Sequence, residues 1–196
     1  MPTPAPAPLT LPAATAATAL TDADLMARVK RGEVLAFRLL SMRHVGRAHA
    51  IAVRITHNRE DAEEAVQDAL AKIWQHAARY DDGRGAFGTW FYSILTRCAL
   101  DRLRRRRPTA ENIDDHTDAL ADPRENGEAA WLRQGDAKRI QNAVAALPPQ
   151  QKLAVVLCYY EAFTQPEAAR IMNMNLKALE GLLFRAKKAL KTSLAT

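Results

Sequence analysis

Apolar residues recur along this chain at spacings of three and four, the mark of helices with one face turned inward. A first helix is expected from Thr21 or Asp22, either of which can cap, with Asp24 near the positive end of the dipole. Leu25, Val29, Leu35, Phe37, Leu39 and Leu40 supply its apolar faces, and Gly32 marks a break. A second run, Met42–Thr56, carries Val45, Ala48, Ala52 and Ile55 before Asn58 punctuates the chain. Arg59–Arg79 is the best-defined stripe of this half, built on Ala62, Ala65, Val66, Ala69, Leu70, Ile73 and Trp74. Acidic and amide side chains crowd its N-terminal half, either as a solvated face or as a docking surface for a basic partner. Tyr80–Gly88 holds three glycines and two aspartates, which predicts a loop, and a helix follows from Thr89 until Pro108 stops it near Arg107.

Thr109–Gly127 has no apolar periodicity and predicts a tether long enough to separate two modules. From Glu128 the helical pattern resumes through Trp131, Leu132, Ile140, Val144 and Leu147 to the break at Pro148–Pro149. Gln150–Tyr160 forms the next helix, with Leu153, Val156 and Leu157 inward. Thr164 caps a short helix, Asn173-Met174-Asn175 makes a turn, and a long basic helix runs from Leu176 to about Leu194. Two helices around a tight turn, the second long and basic, match a helix-turn-helix, against which stands an ordinary amphipathic bundle. Leu176, Leu179, Leu183, Ala186 and Leu190 form the expected buried stripe of the long helix, with Lys177, Glu180, Gly181, Phe184, Lys188 and Lys191 opposite.

Composition sharpens this picture. Hydrophobic residues make up 48% and aromatics only 6%, a balance suited to helices. The formal charge of +6 is unevenly spread: residues 21–107 hold 17 Lys/Arg against 11 Asp/Glu, residues 108–128 hold 1 against 7, and residues 129–196 hold 10 against 4. Two basic blocks joined by an acidic connector suggest two contacts with a polyanion. The expected fold is therefore all-α: a Pro/Ala-rich disordered tail (1–20), a helical domain (21–107), a flexible acidic linker (108–128) and a helix-turn-helix domain (129–196). The tail lacks the Lys/Arg and the apolar core of a signal peptide, and no run of 18 apolar residues occurs. A cytoplasmic protein without membrane insertion is expected. Cys98 and Cys158 have no CxxC spacing and the five histidines lack metal-ligand spacing, so neither a metal nor another cofactor is expected. No nucleophile–base pair stands out either, so no catalysis is expected.

The chemistry concentrates in Phe87–Arg107, FGTWFYSILTRCALDRLRRRR. Phe87, Trp90, Phe91 and Tyr92 open it, and Arg102 with Arg104–Arg107 closes it. Ring faces and phosphate-neutralising charge together suit opened nucleic acid, although a core helix with a solvated basic tail would show the same residues.

Three motifs in order resemble the extracytoplasmic-function (ECF) sigma factors, small two-domain bacterial promoter-recognition subunits. DAEEAVQDALAKIW (Asp61–Trp74) is similar to the family's polymerase-clamp helix, and YDDGRGAFGTWFYSILTRCALDRLRRR to its −10 loop and helix. LPPQQKLAVVLCYYEAFTQPEAARIMNMNLKALEGLLFRAKKAL resembles the family's second domain. The resemblance implies a factor that binds core RNA polymerase, at the β′ coiled coil and the β flap, and directs it to −10 and −35 promoter DNA. By position, Asp61, Glu64, Gln67 and Asp68 would meet the coiled coil. Tyr80, Arg84, Phe87, Arg97, Arg102, Arg104 and Arg105 would serve a flipped base and the −10 strand. Lys177, Glu180, Gly181, Phe184, Arg185 and Lys188 would face the −35 element. An anti-sigma protein is the partner that the family implies. A helix-turn-helix regulator acting without polymerase is the alternative. Three departures stand out: Ala162 where glycine is usual, Arg97 for a common asparagine, and Glu180-Gly181-Leu182 in place of a cationic run.

Overall fold

The computed structural model describes residues 20–105 and 138–195, and every regular element among them is helical. The expected tail and acidic linker lie outside the described residues. Helix α1 (Asp22–Val29) starts on a capping box: the Thr21 hydroxyl accepts from the Asp24 N–H at 3.2 Å while the Asp24 carboxylate accepts from the Thr21 N–H at 2.9 Å. These bonds from Thr21 hold the Asp24 carboxyl below its ordinary range. Gly32, at φ +85°, turns the chain, a conformation that glycine adopts without steric cost.

Helix α2 then runs unbroken over Val34–Thr56. This corrects the separate helix expected from Met42: no Gly or Pro lies between residues 33 and 45, so nothing interrupts the ladder. Ala36, Leu40, Ala48, Ile51, Ala52 and Ile55 are its buried face, whereas Leu35, expected inside, is 74% exposed and Val45 is exposed too. Helix α3 (Arg59–Gln75) is capped by Asn58, whose side-chain oxygen accepts from the Asp61 N–H at 2.8 Å. It stops short of Arg79, and two 3-10 turns, Ala77–Arg79 and Asp82–Arg84, carry the chain into α4 (Phe87–Arg105). Helix α4 begins two residues earlier than expected, so Phe87 is helical and buried.

The second unit comprises helical residues 138–145 (α5), α6 (Pro149–Val155), α7 (Gln165–Ile171) and α8 (Leu176–Leu194). Helix α6 runs on as a wider π-helical turn, Val156–Tyr160, closed by the Glu161 N–H donating to the Val156 carbonyl at 3.0 Å. Thr164 and Glu167 form a second capping box at α7, and the Asn175 side chain caps α8 by accepting from the Ala178 N–H at 2.8 Å. Helices α7 and α8 form the helix-turn-helix, with Asn173 at φ 53° in its turn. Leu179, Leu183 and Ala186 are buried; Leu176 is exposed, contrary to the expected stripe, because it opens the helix at its free end.

The two units share a core. Phe91 and Leu95 of α4 belong to the same buried cluster as Leu153, Leu157, Ala168, Ile171 and Leu179, and α4 packs directly on α7. The tether is expected to be long enough to separate two modules; here the modules touch, because apolar faces on α4 and α7 fit one another and their burial favours contact. Cys98 is buried and Cys158 partly so. Among the described residues no helix is long and apolar enough to cross a membrane.

Two positions test this fold. Ala162 sits at φ 53°, where a Cβ crowds the following carbonyl, and it is exposed. Ala162→Gly is expected to stabilise the protein by about 1 kcal/mol, net of the extra freedom glycine gives the unfolded chain, measured as a higher urea midpoint. His57, also left-handed at φ 52°, is exposed as a residue, yet desolvation of its imidazole and then the nearby Lys152 ammonium lower its pKa to about 4. The unfolded chain binds this proton near pH 6.5 and the folded one only near pH 4, so the contribution is full above 6.5 and is lost as pH falls between the two. His57→Asn keeps the backbone conformation and is expected to flatten the fall in urea midpoint from pH 7 to pH 4.5. An identical acid limb in the variant rules this out.

Candidate nucleic-acid interface

The loop between α3 and α4 is shaped by short local bonds. Asp81 caps its second 3-10 turn, accepting from the Gly83 N–H at 3.0 Å, and the Tyr80 hydroxyl donates to the Gly85 carbonyl at 3.3 Å. The result is a cleft of about 240 Å³ walled by Tyr80, Arg84, Thr89, Trp90 and Ser93, with Arg170 of α7 at its rim. A second cleft of about 260 Å³ lies beside it, lined by Lys72, His76, Arg79, Trp90, Ile94 and Arg97. Trp90 and Arg79 line both, so an aromatic residue stands between two groups of cations, with Asp81 the one carboxylate on the first cleft. Such a site suits an unstacked base and its flanking phosphates, since a ring returns stacking energy and guanidinium groups neutralise the backbone.

Tyr80 and Phe87, expected to meet DNA, are instead buried among rings. Tyr80 lies 5.3 Å from Trp90, Phe87 stacks 5.8 Å from Phe91, and Phe91 stacks 5.3 Å from Tyr92. His44 locks this group, with Nε2 2.6 Å from Asp22 Oδ2, Nδ1 3.2 Å from the Tyr92 hydroxyl, and its ring edge-on to Phe87. The Phe87–Tyr92 aromatics are thus mostly core, as an ordinary packed helix would have them, and they position Trp90 from behind. Arg84 and Arg97 are exposed on the two clefts. Lys72, His76, Arg79, Trp90 and Ser93 are added to the sequence-derived set. Trp90 already stood out among the rings that open the stretch; for Lys72 and His76 the sequence signal was a spacing of four at the end of α3.

Arg102 belongs to a different surface. Its guanidinium pairs with Asp68 at 2.7 Å and closely with Glu64, and its side chain is only 20% exposed. It is therefore turned toward α3, which corrects its placement among strand-facing arginines. Arg104 and Arg105 are exposed, Arg104 facing Asp101 at 3.6 Å. The α3 face expected to meet protein is laid out along one side of the helix, with Asp61 half-buried and Glu64, Gln67 and Asp68 exposed. Two of its carboxylates are thus held by Arg102, an arrangement invisible in the charge count.

On α8, Lys177, Glu180, Phe184, Arg185 and Lys188 are exposed and Gly181 half-buried; Phe184 is 70% exposed. The Arg185 guanidinium lies 3.6 Å from where a Cβ at residue 181 would stand. This helix face offers cations for phosphates and a carboxylate able to accept from a cytosine amino group. Among the described residues no three His, Cys, Asp or Glu side chains are grouped to hold a metal ion.

Comparisons with known proteins agree with this layout. The family profile described as Sigma-70 region 2 matches residues 40–109, and that described as Sigma-70, region 4 matches residues 137–190. The RNA polymerase sigma-H factor of Pseudomonas aeruginosa is 30% identical over 184 residues, covering 88% of this chain and 93% of its own. The ECF RNA polymerase sigma factor SigM of Mycobacterium tuberculosis is 30% identical over 174 residues, 87% and 83% of the two chains. Among solved structures, CnrH in complex with the cytosolic domain of CnrY is similar at a TM-score of 0.65 and 26% identity, covering 89% of this chain and 97% of that one.

Replacing Arg102 by Ala removes a mostly enclosed side chain and its two ion pairs to half-exposed carboxylates, and is expected to cost about 1 kcal/mol. Arg104→Ala, which loses one exposed and stretched pair, is expected to stay within about 0.5 kcal/mol. Urea denaturation of both variants checks this, and equal losses would remove the distinction.

Proposed function

The chain belongs to the extracytoplasmic-function branch of the sigma-70 family, and from that premise we propose how its surfaces divide the work of transcription initiation. It binds core RNA polymerase and directs it to promoters with −10 and −35 elements, and it supplies no reaction of its own. The observation that carries the division is the simultaneous exposure of three chemically distinct faces. They are the α3 carboxylate and amide row, the Trp90 clefts, and the cationic face of α8.

Residues 21–107 act as the clamp and −10 unit, residues 129–196 as the −35 unit, and residues 108–128 as the linker. Asp61, Glu64, Gln67 and Asp68 meet the β′ coiled coil, while the second unit approaches the β flap. Trp90 takes a flipped base, with Arg84 and Arg97 on either side and Arg104 and Arg105 further along the strand. Extruding a base costs a few kcal/mol, which stacking on one indole and two or three phosphate contacts offset. Lys177, Glu180, Gly181, Phe184, Arg185 and Lys188 read the −35 major groove and its phosphates. The factor works in the cytoplasm with polymerase. A cognate anti-sigma protein controls it, the solved relative CnrH being seen with the cytosolic domain of CnrY.

Run-off transcription with core enzyme on a promoter library tests the activity and identifies the promoter together. Gln67→Arg, an exposed change on α3, is expected to weaken core capture at least fivefold and leave binding to isolated −35 duplex unchanged. Trp90→Ala is expected to leave core capture intact and to abolish opening at limiting temperature. A factor that binds promoter DNA but captures no core enzyme would instead be a polymerase-independent regulator.

A further inference from the structure

One more cavity, of about 330 Å³, lies apart from the surfaces given to polymerase and promoter. Helix α2, helix α5 and the π-helical turn border it, and none of its residues belongs to the α3 row, the Trp90 clefts or the α8 face. Its size falls at the lower end of small-molecule sites, which run from about 300 to 1,000 Å³. At the roughly 30 Å³ that a water-sized group takes in a liquid, it has room for about ten non-hydrogen atoms.

The walls are mostly apolar. Val144 and Val156 are buried and Val53 half-buried, while Ile140 and Tyr160 remain 45% and 43% exposed around the same hollow. Apolar surface there still faces water, and covering it is favourable. The cation on the wall is Arg54, whose Nη1 donates to Glu161 Oε1 at 2.9 Å and whose guanidinium stands 5.2 Å from the Tyr160 ring centre. A guanidinium carries five N–H donors, and that bond occupies one of them. Arg47 also pairs with Glu161, at 3.1 Å, so one carboxylate is set against two cations and a positive excess remains beside the cavity. His57 adds an imidazole that is neutral at pH 7, its pKa being lowered to about 4 by desolvation and then by the Lys152 ammonium. Among the described residues, no Asp or Glu lines the cavity.

Each feature narrows the occupant. A free phosphate would leave the valine and isoleucine side chains wet, and a neutral apolar molecule would make no use of Arg54. A molecule with an apolar body and one carboxylate satisfies both, because a carboxylate matches the planar guanidinium with parallel hydrogen bonds. We propose that this cavity binds a small amphipathic monocarboxylate, its apolar body against Val53, Ile140, Val144 and Val156 and its head group on Arg54. Straight-chain and aromatic acids share this chemistry. The proposal stands apart from the promoter reading, since it concerns the free chain and a separate set of residues.

The test titrates the full chain at pH 7 by calorimetry with octanoate, heptanoate, 2-naphthoate and 1-octanol. Octanoate is expected to occupy one site with a Kd below about 1 mM. Heptanoate is expected to bind about fourfold more weakly for its lost methylene, and 1-octanol about fivefold or more weakly for its lost charge. Tighter binding of 2-naphthoate than of octanoate makes the ligand an aromatic acid, and the reverse order makes it a straight-chain acid; both support the site. Methyl resonances of Val53, Ile140, Val144 and Val156 are expected to shift together during the titration. Ile140→Trp, at an exposed position of α5, is expected to fill the cavity and abolish binding. Arg54→Gln is expected to erase the preference for octanoate over octanol, and if it fails to fold, Ile140→Trp and the octanol comparison decide. No binding of either acid at millimolar concentration overturns the proposal, as does binding retained by folded Ile140→Trp or shifts confined to other methyls. Equal affinity for octanoate and octanol overturns the carboxylate assignment. Methyl shifts that follow protein concentration instead of added acid give the cavity to a second copy of the chain and overturn the proposal as well.

Discussion

The middle of α4 is committed to folding on several sides at once, and this constraint shapes everything else. Phe91 and Leu95 are fully enclosed and Tyr92 almost so, with α1, α2 and α3 packed on one side and α7 on another. Removing a ring such as Phe91 from such a place costs about 3–5 kcal/mol, a large part of a small protein's total stability. The helix therefore cannot lend its centre to a ligand. Only its margins are available: Trp90 and Ser93 near the start, Arg97 on the outer edge, and the arginines at the end. Rigidity follows from the same packing, because the clefts beside Trp90 are backed by rings that have no room to move.

Local chemistry was the most legible part of the sequence. Thr21, Asn58, Thr164 and Asn175 announce helix starts by residue type, and each caps as its type dictates. Ala162 was readable as an awkward turn, because a residue with a Cβ stood where positive φ was needed, and its φ is 53°. Periodicity served less well at α2. Its apolar residues drift around the helix, with Leu35 outward and Ala48 inward, so the pattern looked like two short helices when nothing in the backbone required a break.

Aromatic side chains misled for a related reason. Tyr80 and Phe87 are chemically suited to stack on bases, and residue type alone cannot tell a ring awaiting a ligand from one already packed against four others. Only the position of Trp90 at the edge of that group, bordering two clefts, separates the roles. The pairing of Arg102 with Glu64 and Asp68 was hidden likewise, since it joins positions 34 and 38 residues apart on different helices.

Net charge by block overstated the cations available to DNA. Within residues 21–107, Arg102 is held by Glu64 and Asp68, Arg43 reaches Asp22 at 3.0 Å, and Arg47 and Arg54 both serve Glu161 of the second unit. Each such pair removes a guanidinium from the set that displaces counterions, and each phosphate contact contributes roughly one unit to the salt dependence of binding. The charge that reaches nucleic acid is therefore fixed by folding as much as by composition. Glu161 is a single carboxylate set against two guanidinium groups, so its presence lowers the positive potential of the first unit by one charge.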